Sequence, residues 1–260
     1  MSTSSQPATS RTLHLVLLPG TLTDERVFAP LLSHLVPPTD SSLDIHILEV
    51  HDAPNILAAA QQVLAAAPSN FILIGFSLGG LIALQTALLS PQRLCGLILL
   101  NTTAAAVPAE HHAARRAQAA WTHQHGADTL IREHLWPLYV SPSNAEQATL
   151  RLLLATMAET LGSTVFDTQT ELALTRPDYR SSLATLTMPT LILGGTEDAI
   201  NPPPTQLALG HAIPNATLAL IDRAGHFALL EQPAALAAHI NPWLASLATT
   251  CHAPQESTPR

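Results

Sequence analysis

FILIGFSLGGLIALQTALL, residues 71–89, changes character in its middle. A short apolar run, Phe71-Ile72-Leu73-Ile74, runs into the hexapeptide GFSLGG at 75–80, and an apolar stretch of helical length follows. The first part reads as a buried strand over 71–76 and the last as a helix over 78–89. Gly75 and Gly79 mark a turn too tight for side chains. Ser77, between them, is thrust out of the fold, and the N-terminal N–H groups of the following helix face any negative charge beside it.

The same alternation extends in both directions. Apolar runs at 13–18, 43–50, 96–101, 190–193 and 217–221 predict further strands. They are continuous rather than alternating, as in parallel strands buried on both faces. Helical patterns fill 24–35, 56–66, 204–211 and 233–247. An α/β fold with a doubly wound, mostly parallel sheet is the expectation. From 104 to 187 only helical periodicity is present, with helices predicted at 108–124, 127–138, 144–161 and 163–174. The domain reading is therefore a core at 12–103 and 188–248, a helical insertion at 104–187, and disordered tails at 1–11 and 249–260.

Composition narrows the chemistry. The chain has 260 residues, 47% hydrophobic and 12% charged, enough for one large α/β domain. A net charge of −8 argues against a nucleic-acid partner. All 11 basic residues are arginine, which removes lysine Schiff-base chemistry and the P-loop. Cys95 and Cys251 are read as free thiols in a reducing compartment. No signal peptide and no apolar run long enough for a membrane span are read, so a soluble cytoplasmic protein is expected.

Strand, G-x-S-x-G and helix in succession make the context of a nucleophile elbow. A serine hydroxyl needs a base, and among 13 histidines context selects His226, in AGHFALLEQP (224–233). It follows the last predicted strand, and Gly225 frees its loop to swing the imidazole over the sheet edge. His14 and His46 alternate within strands and read as satisfied or surface residues. His111, His112, His123 and His125 lack a nearby carboxylate or cysteine to complete a metal set, so no metal and no cofactor are expected. LILGGTEDAINPP (191–203) offers Glu197 and Asp198 just past a strand, with Asp198 preferred as the acid that orients His226. The other position for an acid, after the strand at 96–101, holds Asn101 and reads as vacant. Oxyanion donors are expected from the backbone of Leu78 and from the loop LLPGTLTDERVF (17–28), where Thr21 leads and Leu22 is the alternative. Leu22, Phe76 and Phe227 are expected to form an apolar pocket.

LPGTLTD, GFSLGGLIALQTALLSPQRLCGLILLNTTA, PTLILGGTEDAINPP and AGHFALLEQP together resemble the α/β-hydrolase fold family over nearly all of residues 12–248. The resemblance implies Ser77 as nucleophile, Asp198 as acid, His226 as base, Thr21 and Leu78 as the oxyanion hole, and 104–187 as a helical cap. TRPDYRSSL, at the end of the insertion, resembles a subgroup of bacterial hydrolases close to enol-lactonases and pimeloyl-carrier-protein methyl esterases. The chain departs from many relatives in having Pro19-Gly20 where they have His-Gly, and in the short glycine-free EVHDAPN (49–55). Little chain precedes the first strand, so about six parallel strands are expected.

The implied activity is hydrolysis of a small or medium carboxylic ester through an acyl-enzyme, with a small-molecule ester or lactone as partner. A lactonase, thioesterase or amidase would use the same residues. A slow-turnover ligand-sensing protein on the same fold is the alternative from another class. The cap arginines Arg115, Arg116, Arg132, Arg151, Arg176 and Arg180 read as helix surface charge, with recognition of a substrate carboxylate or a carrier phosphate as the rival reading.

Overall fold

Successive residues of a strand face opposite ways, and in the central strands both sets are apolar. A computed structural model describes residues 11–247. Its strands are β1 (Arg11–Leu18), β2 (Ser41–Ile47), β3 (Phe71–Phe76), β4 (Leu94–Leu100), β5 (Thr190–Gly195) and β6 (Ala216–Ile221). All pair in parallel in the order β2-β1-β3-β4-β5-β6. Leu15 and Leu17 of β1, Ile72 and Ile74 of β3 and Ile98 of β4 pack on one side of the sheet. Val16, Leu73, Leu97 and Leu99 pack on the other. The two edges depart from the fully buried pattern expected of every strand. β2 and β6 are half-exposed, because each has a neighbour on one side only.

The connecting helices divide between the two faces. α1 (Ala29–Leu32), α9 (Ala228–Glu231) and α10 (Pro233–Leu247) contribute to the first core; α2 (Ile56–Ala66), α3 (Leu78–Leu89) and α8 (Pro203–Ala212) contribute to the second. This is the doubly wound α/β arrangement. The helix expected over 24–35 is shorter than its pattern. A 3-10 turn at Glu25–Phe28 precedes α1, because Pro30 fits only in a helix's first turn.

Between β4 and β5 the described residues hold no strand. α4 (His112–His125), α5 (Ala127–Leu130), α6 (Trp136–Tyr139) and α7 (Ala148–Thr175) fill that stretch. The helix expected over 127–138 is broken by a π-turn at Ile131–Leu135, and Pro137 restarts it. α7 bends at Gly162, whose φ of 74° lies outside the helical region. That bend separates the two segments expected at 144–161 and 163–174.

Two further expectations are corrected. Arg11, counted with the tail, begins β1 and pairs with Ser41; the remaining tail expectations lie outside the described residues. Cys95 is disulfide-bonded rather than a free thiol. Cys251, the other cysteine, lies outside the described residues, and the thiol argument for a reducing compartment falls with this correction. No helix among the described residues is long and apolar enough to cross a membrane.

Candidate active site

In an open α/β sheet the crevice for a ligand opens where neighbouring strands send their chains opposite ways, beyond their C-terminal ends. Here that point lies between β1 and β3, since β2 lies beyond β1 and β4 beyond β3. Residues 19–24 leave β1 there, and Ser77 leaves β3. Ser77 has φ 52° and ψ −111°, a region that costs a non-glycine residue about 1–3 kcal/mol. The turn is held from both sides. The Ser77 N–H donates to Leu100 O at 3.0 Å, and the Thr102 hydroxyl donates to Ser77 O at 2.7 Å. A Cβ on Gly75 would lie 2.5 Å from Gly79 O, and one on Gly79 would lie 2.1 Å from Leu18 O. Strand and helix can therefore meet at this angle only with glycine at both positions.

Ser77 Oγ lies 2.8 Å from His226 Nε2. On the far side of the ring, Nδ1 lies 3.1 and 3.0 Å from the two carboxylate oxygens of Asp198. A proton on Nδ1 facing that carboxylate leaves the Nε2 lone pair for the serine hydroxyl. The side chains of His226 and Asp198 are 3% and 0% exposed, so water does not compete for either bond. Asp198 also accepts the backbone N–H groups of Ile200 and Asn201, at 2.8 and 2.9 Å, and the side-chain amide of Asn101 at 2.8 Å. Burial by itself would raise the Asp198 pKa. His226, Asn101 and the Asn201 N–H outweigh it and hold the carboxyl below its ordinary value.

Position 101 is thus occupied to effect, although the sequence reads it as vacant. Asn101 Nδ2 donates both to Asp198 and to Gly225 O, at 2.8 and 3.2 Å, so it spans the acid loop and the histidine loop. Glu197, beside Asp198 in the same loop, is exposed. Three more residues carry no local signal in the sequence. Tyr139 places its ring 5.9 Å from that of His226, with Phe76 and Phe227 at 5.4 and 5.7 Å on other sides. Glu231 accepts the N–H groups of Gly225 and Ser141, at 2.8 and 2.7 Å, and the Asn144 amide at 2.8 Å. Gln169 of α7 accepts the Leu22 N–H at 2.8 Å.

That last bond bears on the two candidate donors in the loop after β1, Thr21 and Leu22. The Leu22 N–H is engaged by Gln169, and Leu22 is buried in the core rather than lining the cleft. Thr21 and Leu78 do line it, together with Phe76, Ser77, His226 and Phe227. The cleft measures about 360 Å³, and Tyr139, Phe166, Gln169 and Leu174 close it from the helical insertion.

The six arginines of the insertion divide into two groups. Arg116 pairs with Glu171, Arg132 with Asp128, and Arg180 with Asp178, while Arg151 packs over the Trp136 ring. Arg115 and Arg176 instead line the cleft. Among the described residues, His14, Asp44 and His46 have the donor atoms to hold a divalent metal. They meet across β1 and β2 at 3.0–3.3 Å, hydrogen-bond to one another, and do not line the cleft. His111, His112, His123 and His125 form no such group among the described residues.

Comparison with known proteins gives concordant results. A family model described as alpha/beta hydrolase fold matches residues 38–233. The chain is 29% identical over 248 residues to a pimeloyl-[acyl-carrier protein] methyl ester esterase of Xanthomonas campestris pv. campestris, covering 90% of this chain and 95% of that one. Its structure is similar to that of a thermophilic esterase from Thermogutta terrifontis, with a TM-score of 0.79, 24% identity and 92% of each chain covered. It is similar also to the enol-lactonase from Burkholderia xenovorans LB400, with a TM-score of 0.75, 20% identity, and 90% and 92% of the two chains covered.

Proposed function

The chain belongs to the α/β-hydrolase fold family, and we propose that within it the protein is a serine esterase that cleaves a small or medium carboxylic ester through an acyl-enzyme. The observation that carries the reading is the line of contacts from Ser77 Oγ through His226 to a buried Asp198.

In the proposed reaction, His226 Nε2 takes the proton of Ser77 as Oγ bonds to the ester carbonyl carbon. The carbonyl oxygen becomes an oxyanion, stabilised by the N–H groups of Thr21 and Leu78 at the mouth of α3. Asp198 stabilises the imidazolium and holds the ring in its tautomer. The tetrahedral species collapses, and His226 delivers its proton to the departing alkoxide. Water then repeats the sequence on the acyl-enzyme, releases the acid and restores the serine. Residues 104–187 act as a cap, with Tyr139 and Phe166 excluding water from the acyl chain. The pimeloyl methyl ester named for the Xanthomonas relative fits the reading that the acid part is an alkyl chain and the leaving group small.

A panel of methyl and p-nitrophenyl esters, with a lactone and a thioester for comparison, tests this. Ester hydrolysis is expected, and Ser77→Ala should lower kcat by about 10³-fold or more while leaving the fold intact. Retained turnover in Ser77→Ala would remove the serine from the mechanism.

A further inference from the structure

The cleft and the molecule that holds it have opposite charge. The chain carries 19 acidic residues and 11 basic ones, yet no Asp or Glu lines the cleft. Its basic lining residues are Arg115, Arg176, His111 and His226.

Neither arginine is neutralised by the protein. Arg176 is folded against the wall, where its guanidinium donates to the backbone oxygens of Ala105 and Ala173. Those acceptors orient the group but supply no countercharge. Burial pulls Arg176 down to about 10, with Arg115 pushing the same way, so it stays fully charged at neutral pH. Asp178 acts on it from the side, but both oxygens of that carboxylate are bonded to Arg180. Arg115 forms no ion pair among the described residues, whereas Arg116, Arg132 and Arg180 each have an acid partner. Arg115 also acts on the Tyr139 hydroxyl, and the Tyr139 ring packs against His226. Arg176 is half-buried, and a cation drawn out of water is costly unless something pairs with it; Arg115 is exposed and lines the same cleft, so a ligand there can meet both.

We infer that the cleft selects esters carrying a second, ionised carboxylate, such as the half-esters of dicarboxylic acids, with Arg115 and Arg176 holding the free carboxylate. The inference rests on the serine-esterase reading and adds the substrate's charge to it. The apolar wall of Leu135, Phe166 and Leu174 takes the chain between the two ends. Arg115 and Arg176 are then specificity residues, remote from the bonds that form and break.

Monomethyl adipate and methyl hexanoate have nearly the same length and differ in the terminal carboxylate. The wild-type protein should show a higher kcat/KM for the half-ester. Arg115→Gln should lower the half-ester to neutral-ester ratio of kcat/KM about ten- to a hundredfold, mainly through KM. Arg116→Gln, whose guanidinium sits on Glu171 outside the cleft, should leave the ratio at its wild-type value. A ratio near one in the wild type, or a ratio unmoved by Arg115→Gln, would overturn the inference. Binding separates this result from a failure of the esterase reading. Ser77→Ala protein titrated with adipate should bind it, and the Ser77→Ala, Arg115→Gln protein should bind it at least tenfold more weakly. If no ester is cleaved but that difference is found, the anion site stands and the esterase reading falls. Inorganic phosphate tests the other source of negative charge. Phosphate binding tighter than adipate would overturn the assignment to a carboxylate.

Discussion

Ser77 holds a backbone conformation that costs a non-glycine residue free energy, and that strain has a measurable consequence. A glycine adopts φ 52° without the Cβ penalty. Ser77→Gly should therefore abolish ester turnover and raise stability by about 1 kcal/mol in urea denaturation. A serine that merely fills a turn would yield the stability gain without the loss of activity. Asn101 gives a second residue-scale prediction. Asn101→Ala removes the donor that joins Asp198 to Gly225 and should lower kcat about tenfold with KM little changed. An equal effect on both constants would make Asn101 a part of the fold only. The sequence picked out Ser77, Asp198 and His226 because each follows a strand in a glycine-bearing loop. It could not assign Asn101, since an amide at an expected carboxylate position looks like a loss until its partner, 97 residues away, is in view.

At the scale of the element, identical substitutions at two glycines should behave differently. An alanine at Gly79 would place its Cβ 2.1 Å from Leu18 O, a backbone atom with nowhere to move, whereas a Cβ at Gly162 meets nothing within 4 Å. Gly79→Ala should cost about 3 kcal/mol or more. Gly162→Ala should cost about 1–3 kcal/mol, because φ 74° and ψ 177° lie in a region almost reserved for glycine. Thermal unfolding of the two variants compares them directly. Glu231→Gln should also destabilise, by about 2 kcal/mol, because three donors converge on a carboxylate that an amide replaces poorly. Elements with local signals, such as α2, α3 and α10, match their expected bounds. The insertion is harder to read, because the π-turn at Ile131–Leu135 interrupts a helix whose apolar period runs on.

For the whole molecule, charge and fold meet in the pH dependence of stability. Asp198 is held below its ordinary value of 3.8 in the folded chain. As pH falls, the unfolded chain takes up that proton first. The contribution of Asp198 is therefore complete above about pH 4 and is lost as pH drops through the depressed folded value. Asp198→Asn lacks this contribution. Its deficit of about 2 kcal/mol at pH 7 should narrow below about pH 4 when urea midpoints are compared. A gap that stayed constant with pH would mean that the ionised carboxylate does not stabilise the fold. The doubly wound sheet was readable because four strands are apolar on both faces. The half-exposed edge β2 is marked by Asp44 and His46 alternating with apolar residues, whereas the Cys95 disulfide leaves no local mark. The central claim, that the 2.8 Å contact between Ser77 and His226 makes an activated nucleophile, is tested most directly by labelling the purified protein with a fluorophosphonate and locating the modified residue by mass spectrometry. Label on Ser77, lost in His226→Ala while that variant remains folded, is the predicted result. No label on folded wild-type protein, or label on Ser77 that persists without His226, would contradict it.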